Sequence, residues 1–199
     1  DGTFTYTPSA NYNGSASFTV TVSDGQGGTT SSTVNVGITA VNDPAVIQPF
    51  SLTLNETDSV LTTGGTLAIT DIDSPATFLA QSEVAGSNGY GHFTINTNGS
   101  WTYTANSAHN EFEAGKSYTD SITVKSTDGT PSTINITIVG TNDAAEIIPG
   151  SASLVETDAP LTASGTLSVT DIDSPATFQP QSNVAGSKGY GHFTVNTDG

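Results

Sequence analysis

A stretch of fourteen residues occurs twice in this sequence, and the two copies lie 100 positions apart. Residues 65–78 read GTLAITDIDSPATF, and residues 165–178 read GTLSVTDIDSPATF. The motif YGHFT at 90–94 also returns, without a gap, at 190–194. Because a period of about a hundred residues has the size of one domain, the repeat indicates a tandem array of domains.

The beginning of the chain aligns with the second half of the same repeat. GTFTY at 2–6 falls on GSWTY at 99–103, and VND at 41–43 falls on TND at 141–143. The sequence therefore predicts three units. Residues 1–43 are the C-terminal half of one domain, residues 44–143 are a complete domain, and residues 144–199 are the N-terminal half of the next.

The two predicted half-domains carry complementary strands, early ones in residues 144–199 and late ones in residues 1–43. Unpaired strand edges are templates for pairing with another chain. We therefore expect the C-terminal half of one copy to pair with the N-terminal half of a neighbouring copy, head to tail. The alternative is that the sequence is a window on one continuous fibre.

Apolar and polar residues alternate in short segments separated by turn residues, which is typical of strands with one buried face. About seven strands in about a hundred residues, without helical periodicity, predict an all-β chain of tandem antiparallel Greek-key sandwiches of the immunoglobulin-like kind. Asn98-Gly99 marks the strongest hairpin turn. The pattern predicts a loop between 73 and 91 and strands at 3–7, 15–23, 30–41, 46–54, 66–70, 91–96, 100–104, 118–126 and 133–140.

The charge of the chain limits its partners. The net charge is −16, from 19 acidic residues against three lysines and no arginine. Nucleic acids and anionic membranes both require basic surfaces, so neither is expected as a partner. No run approaches the ~18 apolar residues of a membrane span. With no cysteine, the chain has neither disulfides nor thiolate metal sites, and its acidity favours bound cations.

Several motifs of the middle unit occur in the order found in a VCBS repeat, which this segment resembles. They are GTLAITDID, YGHFTINTNGSWTYT and STDGTPSTINITIVGTNDAAEI. Residues 1–43 are more similar to the cadherin-like repeat, through YTPSANYNGSASFTVTVSDGQGG and AVNDP. The resemblance implies cadherin-like extender modules of giant Ca²⁺-dependent adhesins of the RTX type. Such modules lie outside the bacterial cell, on its surface, contact neighbouring repeats, and support adhesion or biofilm formation.

Acidic and amide residues are predicted to meet at the two ends of the middle sandwich. Ca²⁺ takes about six to eight oxygen ligands from carboxylates, amides and carbonyls. At one end the incoming linker, the strand before Asp71 and the turn at Asp128 should converge, which places together Asn42, Asp43, Asp71, Asp73 and Asp128. At the other end, similarity to cadherin junctions implies a calcium site from Glu56, Asn142, Asp143, Asp171 and Asp173, with Glu111 or Glu113 nearby.

Other interpretations stay open at this point. Asp and Asn are also common turn residues, because their side chains bond to the local backbone. His92, His109 and His192 occur without cysteine or any triad pattern, so no enzyme is expected. A glycan-binding module would use Phe93, Trp101 and Tyr103 as a stacking surface, whereas the same residues are expected in the core of an extender.

Overall fold

The computed structural model describes residues 2–199, so Asp1, the first residue of the predicted 1–43 unit, lies outside them. The described residues form strands and turns, with no helix among them. The strands are β1 Gly14–Ser23, β2 Thr29–Ile38, β3 Val46–Ile47, β4 Phe50–Asn55, β5 Thr62–Thr66, β6 Ile69–Thr70, β7 Gln81–Ala85, β8 Gly91–Ile95, β9 Ser100–Ala105, β10 Ser117–Lys125, β11 Pro131–Val139, β12 Glu146–Ile148, β13 Ser168–Thr170, β14 Gln181–Ala185 and β15 His192–Val195.

The middle unit, residues 44–143, is a sandwich of two sheets. One sheet has the strand order β10–β11–β4 and the other has the order β5–β9–β8–β7, with the short pair β3–β6 beside them. Alternate residues of the strands point inward, and Trp101, Tyr103, Ile134 and Ile136 are at most 2% exposed. Burying a large apolar side chain of this kind stabilises a fold by about 1.5–3 kcal/mol. The all-β sandwich predicted from the sequence is confirmed.

One strand pair in this sandwich is parallel, which the prediction of antiparallel sheets did not include. β4 runs in the same direction as β11, so that Leu52 lies beside Ile136 and Leu54 beside Ile138. Both strands run from the end where the chain enters the sandwich to the end where it leaves. The parallel pair therefore sets the incoming linker and the outgoing linker at opposite ends.

The sequence located most strands of the middle unit and missed some local features. The hairpin of β8 and β9 around Asn98-Gly99 lies where it was expected. The strand predicted at 46–54 is broken at Pro49, which lacks the N–H that a ladder needs. β7 was predicted as loop, because a bulge between Gln81 and Val84 interrupts its alternation.

The aromatic residues considered as a glycan platform belong to the core. Phe93 packs against Tyr103 with ring centroids 4.7 Å apart, and Trp101 packs against Phe50 at 5.0 Å. Because Phe93, Trp101 and Tyr103 are at most 2% exposed, their faces are not available to a sugar.

The units on either side hold fewer strands. β1 and β2 form a regular hairpin in residues 2–43, whereas residues 3–7, expected as a strand, are not in one. In residues 144–199, β12 pairs with β13 and β14 pairs with β15, in the registers of β3–β6 and β7–β8. Phe193 is 64% exposed, whereas its counterpart Phe93 is 1% exposed. The third unit thus repeats the local pairing of the middle unit with its apolar face open.

Candidate calcium-binding junctions

The repeated acidic pair lies in a tight turn at the end of β6. Pairing of Val46 with Thr70 places this strand end beside the incoming linker. Asp71 Oδ1 accepts hydrogen bonds from the N–H groups of Asp73 at 3.0 Å and Ser74 at 2.7 Å. Asp71 Oδ2 is buried and has no hydrogen-bond partner. Oδ1 therefore stabilises the turn, and Oδ2 is an acceptor that a bound cation could use.

Linker residues contact this turn directly. The backbone N–H of Asp43 donates to Asp73 Oδ2 at 3.0 Å, and the hydroxyl of Ser74 donates to Asn42 Oδ1 at 3.1 Å. Four of the residues predicted to converge at this end are thus in one hydrogen-bonded group. We call this group, with Asp128, the first junction: Asn42, Asp43, Asp71, Asp73 and Asp128.

Asp128 fastens the linker to the sandwich by hydrogen bonds. Its Oδ2 accepts from the N–H of Ala45 at 3.0 Å and the hydroxyl of Thr130 at 2.7 Å, with Asn42 Nδ2 at 3.5 Å. Its Oδ1 accepts from the Thr130 N–H at 3.1 Å and from the Ser126 hydroxyl. The hydroxyls of Ser126 and Thr130 hold the pKa of Asp128 well below its usual range. Both oxygens of this predicted ligand are engaged by protein donors.

A polar cavity of about 260 Å³ opens between the first unit and the first junction. It is lined on one side by the loop before β1 and the residues after β2, and on the other by carboxylates of the first junction. The lining residues are Asn11, Tyr12, Asn13, Thr39, Val41, Asp43 and Asp73.

Glu56 lies at the opposite end of the sandwich, directly after β4, and is only 2% exposed. Its N–H donates to the carbonyl of Val139 at 2.8 Å, which extends the β4–β11 pairing. Its Oε2 accepts from the N–H of Thr141 at 3.2 Å and from the Thr141 hydroxyl at 2.6 Å. Its Oε1 is buried with no partner.

The outgoing linker brings further carboxylates to Glu56. Burial raises the pKa of Asp143 above its usual value, and the neighbouring charges of Glu56, Asp58 and Asp173 raise it further. Asp173 is 6% exposed, and neither of its carboxylate oxygens has a hydrogen-bond donor. We call this group the second junction: Glu56, Asp58, Asn142, Asp143, Asp171 and Asp173.

The second acidic pair repeats the turn of the first. Asp171 Oδ1 accepts from the N–H groups of Asp173 at 3.2 Å and Ser174 at 2.9 Å. Contact between the two carboxyl groups raises the pKa of Asp173 and lowers the pKa of Asp171. Asn142 Nδ2 donates to the Asp143 carbonyl at 2.7 Å, so its amide oxygen is not used in that bond.

Glu111 and Glu113 have partners within their own loop. Glu111 Oε1 lies 2.8 Å from His109 Nδ1, and this hydrogen bond lowers the pKa of Glu111. Glu113 forms an ion pair with Lys116. Their assignment to the calcium site stays a prediction, because the structure does not join them to the other carboxylates.

The two junctions offer carboxylate and amide oxygens, which are ligands for hard cations such as Ca²⁺. Carboxylate and amide oxygens are the ligands that Ca²⁺ prefers, and the buried oxygens of Asp71, Glu56, Asp143 and Asp173 have no competing donor. In residues 2–199, however, no group of three or more Asp, Glu, His or Cys side chains already has the geometry to hold a metal ion. Carboxylates repel one another when no cation lies between them.

Sequence reasoning missed Asp58 at the second junction and Asp120 in the core. The repeat of Glu-Thr-Asp at 56–58 and 156–158 was a usable signal for Asp58. Asp120 is fully buried and accepts from the N–H groups of Asn88 at 2.8 Å and Gly91 at 3.0 Å. It occupies an inward position of β10, in line with Ile122, so its role is to fix the β7–β8 turn.

Two protein-family models match parts of this chain. A model of bacterial cadherin-like domains matches residues 42–140, and a model of cadherin-like domains matches residues 1–39. Residues 1–39 and residues 42–140 are thus identified as cadherin-like domain sequence. The similarity of the first unit to cadherin-like repeats is thereby confirmed, whereas the finer VCBS assignment of the middle unit stays a prediction. A search among curated proteins found no match.

Solved cadherin structures resemble the chain at low identity. They include protocadherin gamma B2 extracellular cadherin domains 1–5 (21% identity, TM-score 0.46) and PcdhgB3 EC1–4 (20%, 0.49). Drosophila N-cadherin EC1–4 is 16% identical, with a TM-score of 0.39. The matches cover 92%, 93% and 94% of this chain, which spans 38%, 49% and 48% of those structures.

Cadherin-like domains are structural adhesion modules rather than enzymes, and they are typically extracellular. Within residues 2–199, no helix is long and apolar enough to cross a membrane.

Proposed function

We propose that this chain is a structural extender of a long bacterial surface adhesin, in which Ca²⁺ bound at the junctions stiffens the array of cadherin-like domains. In this proposal, residues 44–143 are one complete extender, and residues 1–43 and 144–199 belong to the domains on either side. The array lies outside the cell and projects a distal binding domain that supports adhesion or biofilm formation.

The observation that carries the proposal is the set of buried, unpartnered oxygens at the second junction. Glu56 Oε1, Asp143 Oδ2 and both carboxylate oxygens of Asp173 lack hydrogen-bond donors. A buried carboxylate without a partner is costly, and a bound cation removes that cost. The pKa of Asp143 is raised first by burial and then by the neighbouring charges of Glu56, Asp58 and Asp173, and a bound cation would offset both effects.

In this proposal, some junction residues bind the ion and others position the linker. At the first junction, Asn42, Asp43, Asp71 and Asp73 would hold the ion, while Asp128 positions the linker through its hydrogen bonds. The second junction would use Glu56, Asp58, Asn142, Asp143, Asp171 and Asp173. The ion supplies positive charge between groups that belong to two successive units, and so opposes their separation.

Calorimetric titration of the chelator-treated chain with CaCl₂ tests this proposal. We expect saturable binding with a dissociation constant of roughly 10⁻⁴ to 10⁻³ M, typical of extracellular modules, and weaker binding of Mg²⁺. At a free concentration of 100 times that constant, linkage predicts about 2.7 kcal/mol of added stability per site. Absence of both the binding heat and the stabilisation would rule the proposal out.

Head-to-tail assembly of copies is a second candidate, favoured by the open apolar face of the third unit. Tyr190 is 93% exposed and Phe193 is 64% exposed, although Phe93 at the equivalent position is buried by later strands of the sandwich. Val22 and Phe4 of the first unit are exposed as well. Multi-angle light scattering should show oligomers that grow with concentration; a monomer at every concentration, with both outer units ordered, would exclude this candidate.

A further inference from the structure

The parallel strands β4 and β11 are connected to the two linkers at opposite ends of the sandwich. β4 follows the incoming linker by way of β3 and Pro49, and β11 leads directly into the outgoing linker. A tension along the chain is therefore applied to β4 at its first residue and to β11 at its last. Because the two strands are parallel, this tension slides one strand along the other and does not peel them apart.

Six residue pairs resist this sliding. Phe50 lies beside Ile134, and the register continues without a shift to Asn55 beside Val139. The hydrogen bonds of a parallel pair are evenly spaced along the strands, so a sliding force is divided among all of them. A force that peels the strands apart loads only the outermost bond at each moment. The same bonds thus resist a pull between the linkers better than a pull that opens one end.

The core holds the two strands in this register. Ile134, Ile136 and Ile138 are fully buried, and Leu52 and Leu54 pack against the same cluster. A slip of one residue would turn the inward side chains of β4 to the outer face of the sheet. Sliding therefore breaks hydrogen bonds and exposes apolar surface in the same step.

Glu56 and Thr141 close the end of the pair from which the outgoing linker leaves. The N–H of Glu56 donates to the Val139 carbonyl at 2.8 Å, one step beyond the last pair of the register. Glu56 Oε2 accepts from the Thr141 N–H at 3.2 Å and from the Thr141 hydroxyl at 2.6 Å. The outgoing linker is thus bonded to the end of β4, so peeling from this end must first break hydrogen bonds to a buried carboxylate.

The strand pair at the incoming end is much smaller. β3 and β6 share two residue pairs, Val46 with Thr70 and Ile47 with Ile69. Pro49 separates this pair from β4. With two residue pairs against six, β3 should detach before β4 slides. The tension then falls on the longer pair.

We propose that β4 and β11 form a mechanical clamp by which the middle unit resists tension applied through its linkers, and that Glu56 and Thr141 lock the outgoing end of this clamp. The inference goes beyond the proposed function and takes from it only the direction of the tension, along a tandem array. It does not require bound calcium, because the contacts that make the clamp join protein atoms.

Force spectroscopy of the whole chain in two pulling directions tests the clamp. The chain has no cysteine, so two introduced cysteines define where the handles attach. Val41→Cys with Ala144→Cys pulls on the two linkers and makes β4 and β11 slide. Val60→Cys with Ala144→Cys pulls on the segments that follow β4 and β11, and peels the same strands from one end. Val41 and Val60 are 82% and 52% exposed, so neither replacement opens the core.

In chelator and at the same loading rate, the sliding direction should require a several-fold higher unfolding force than the peeling direction. The upper limit is about sixfold, which applies if all six residue pairs break together. Equal unfolding forces in the two directions would overturn the inference, whatever a calcium titration shows.

A matched pair of variants tests the lock. Thr141→Val removes the hydroxyl bonded to Glu56 and keeps the N–H and the side-chain shape. In the sliding direction it should unfold about tenfold faster at constant force, as expected when one hydrogen bond to a charged group is lost from the folded state but not from the transition state. Phe93→Leu, in the core of the other sheet, should lower the free energy of unfolding in urea but accelerate forced unfolding less.

The outcomes separate the clamp from the proposed function. Thr141→Val unfolding at the wild-type rate would overturn the lock. A chain that binds no calcium, yet unfolds at a several-fold higher force in the sliding direction, would overturn calcium stiffening and support the clamp.

Discussion

Glu56 holds Thr141 through one carboxylate oxygen and leaves the other free. Oε2 accepts the Thr141 N–H at 3.2 Å and its hydroxyl at 2.6 Å, while Oε1 is buried without a partner. The first residue after β4 is thereby fastened to the outgoing linker after β11. Glu56 links the stability of the sandwich to the junction that follows it.

Replacing Glu56 should separate these two roles. In Glu56→Gln the amide oxygen can still accept from Thr141, so the fold should persist while calcium affinity at the second junction falls about tenfold or more. Glu56→Ala should also lose stability without calcium, by about 1.5–3 kcal/mol for each hydrogen bond to the charged group. Urea denaturation and calorimetry of both variants measure the two effects; a Gln variant that binds calcium like the wild type would contradict the assignment.

Asp128 should make the linker acid-sensitive. The Ser126 and Thr130 hydroxyls lower its pKa in the folded chain below the ordinary value of 3.8. A carboxyl group with a lowered folded pKa contributes stability that is complete above its unfolded pKa and is lost as the pH falls through the folded one. In calcium-free buffer, denaturation between about pH 5 and about pH 2 should show a steeper loss for the wild type than for Asp128→Asn. If the stability of the wild type and of Asp128→Asn fell equally with pH, the proposed contribution of Asp128 would be contradicted.

The Asp120 carboxylate should contribute more to the free energy of unfolding than the Tyr103 hydroxyl, which it contacts. Asp120→Ala would leave the buried N–H of Gly91 and the part-buried N–H of Asn88 without their acceptor, at about 2 kcal/mol or more in total. Tyr103→Phe removes only a long hydrogen bond of 3.4 Å and keeps the ring, although burial and Asp120 raise the pKa of Tyr103. Free energies of unfolding in urea should rank the two variants in this order, and the reverse order would refute the account of Asp120.

Strands with regular alternation were predictable, and strands defined by their neighbours were not. The pattern in β1 and the Asn98-Gly99 turn between β8 and β9 depend on local sequence, so they lie where expected. β7 contains a bulge with Glu83 at a φ of 50°, and its pairing with β8 depends on tertiary context. The parallel partner of β4 is likewise set by the path of the chain, which periodicity does not report.

The acidic turns were visible in the sequence because the repeat displays them twice, as Asp71 with Asp73 and as Asp171 with Asp173. The hydrogen-bond partners of individual side chains were not visible in the sequence. Nothing in the sequence shows that Glu111 bonds to His109 or that Asp128 bonds to the N–H of Ala45. Such contacts join residues whose distance is decided only when the sheets pack.

The central claim is that cations at the junctions restrain successive domains. Two unit charges ~4 Å apart repel by ~1 kcal/mol in water and ~4 kcal/mol at an effective dielectric constant of 20. Carboxylates gathered at the second junction, among them Glu56, Asp143 and Asp173, should therefore separate the units when no cation neutralises them.

Small-angle X-ray scattering of the chain in calcium and in chelator, at matched ionic strength and at concentrations where light scattering finds one species, measures this restraint directly. We predict a narrow distribution of interdomain distances in calcium and a broader one in chelator, with Glu56→Gln reaching the narrow form only at higher calcium. Identical distance distributions in calcium and in chelator would contradict the account.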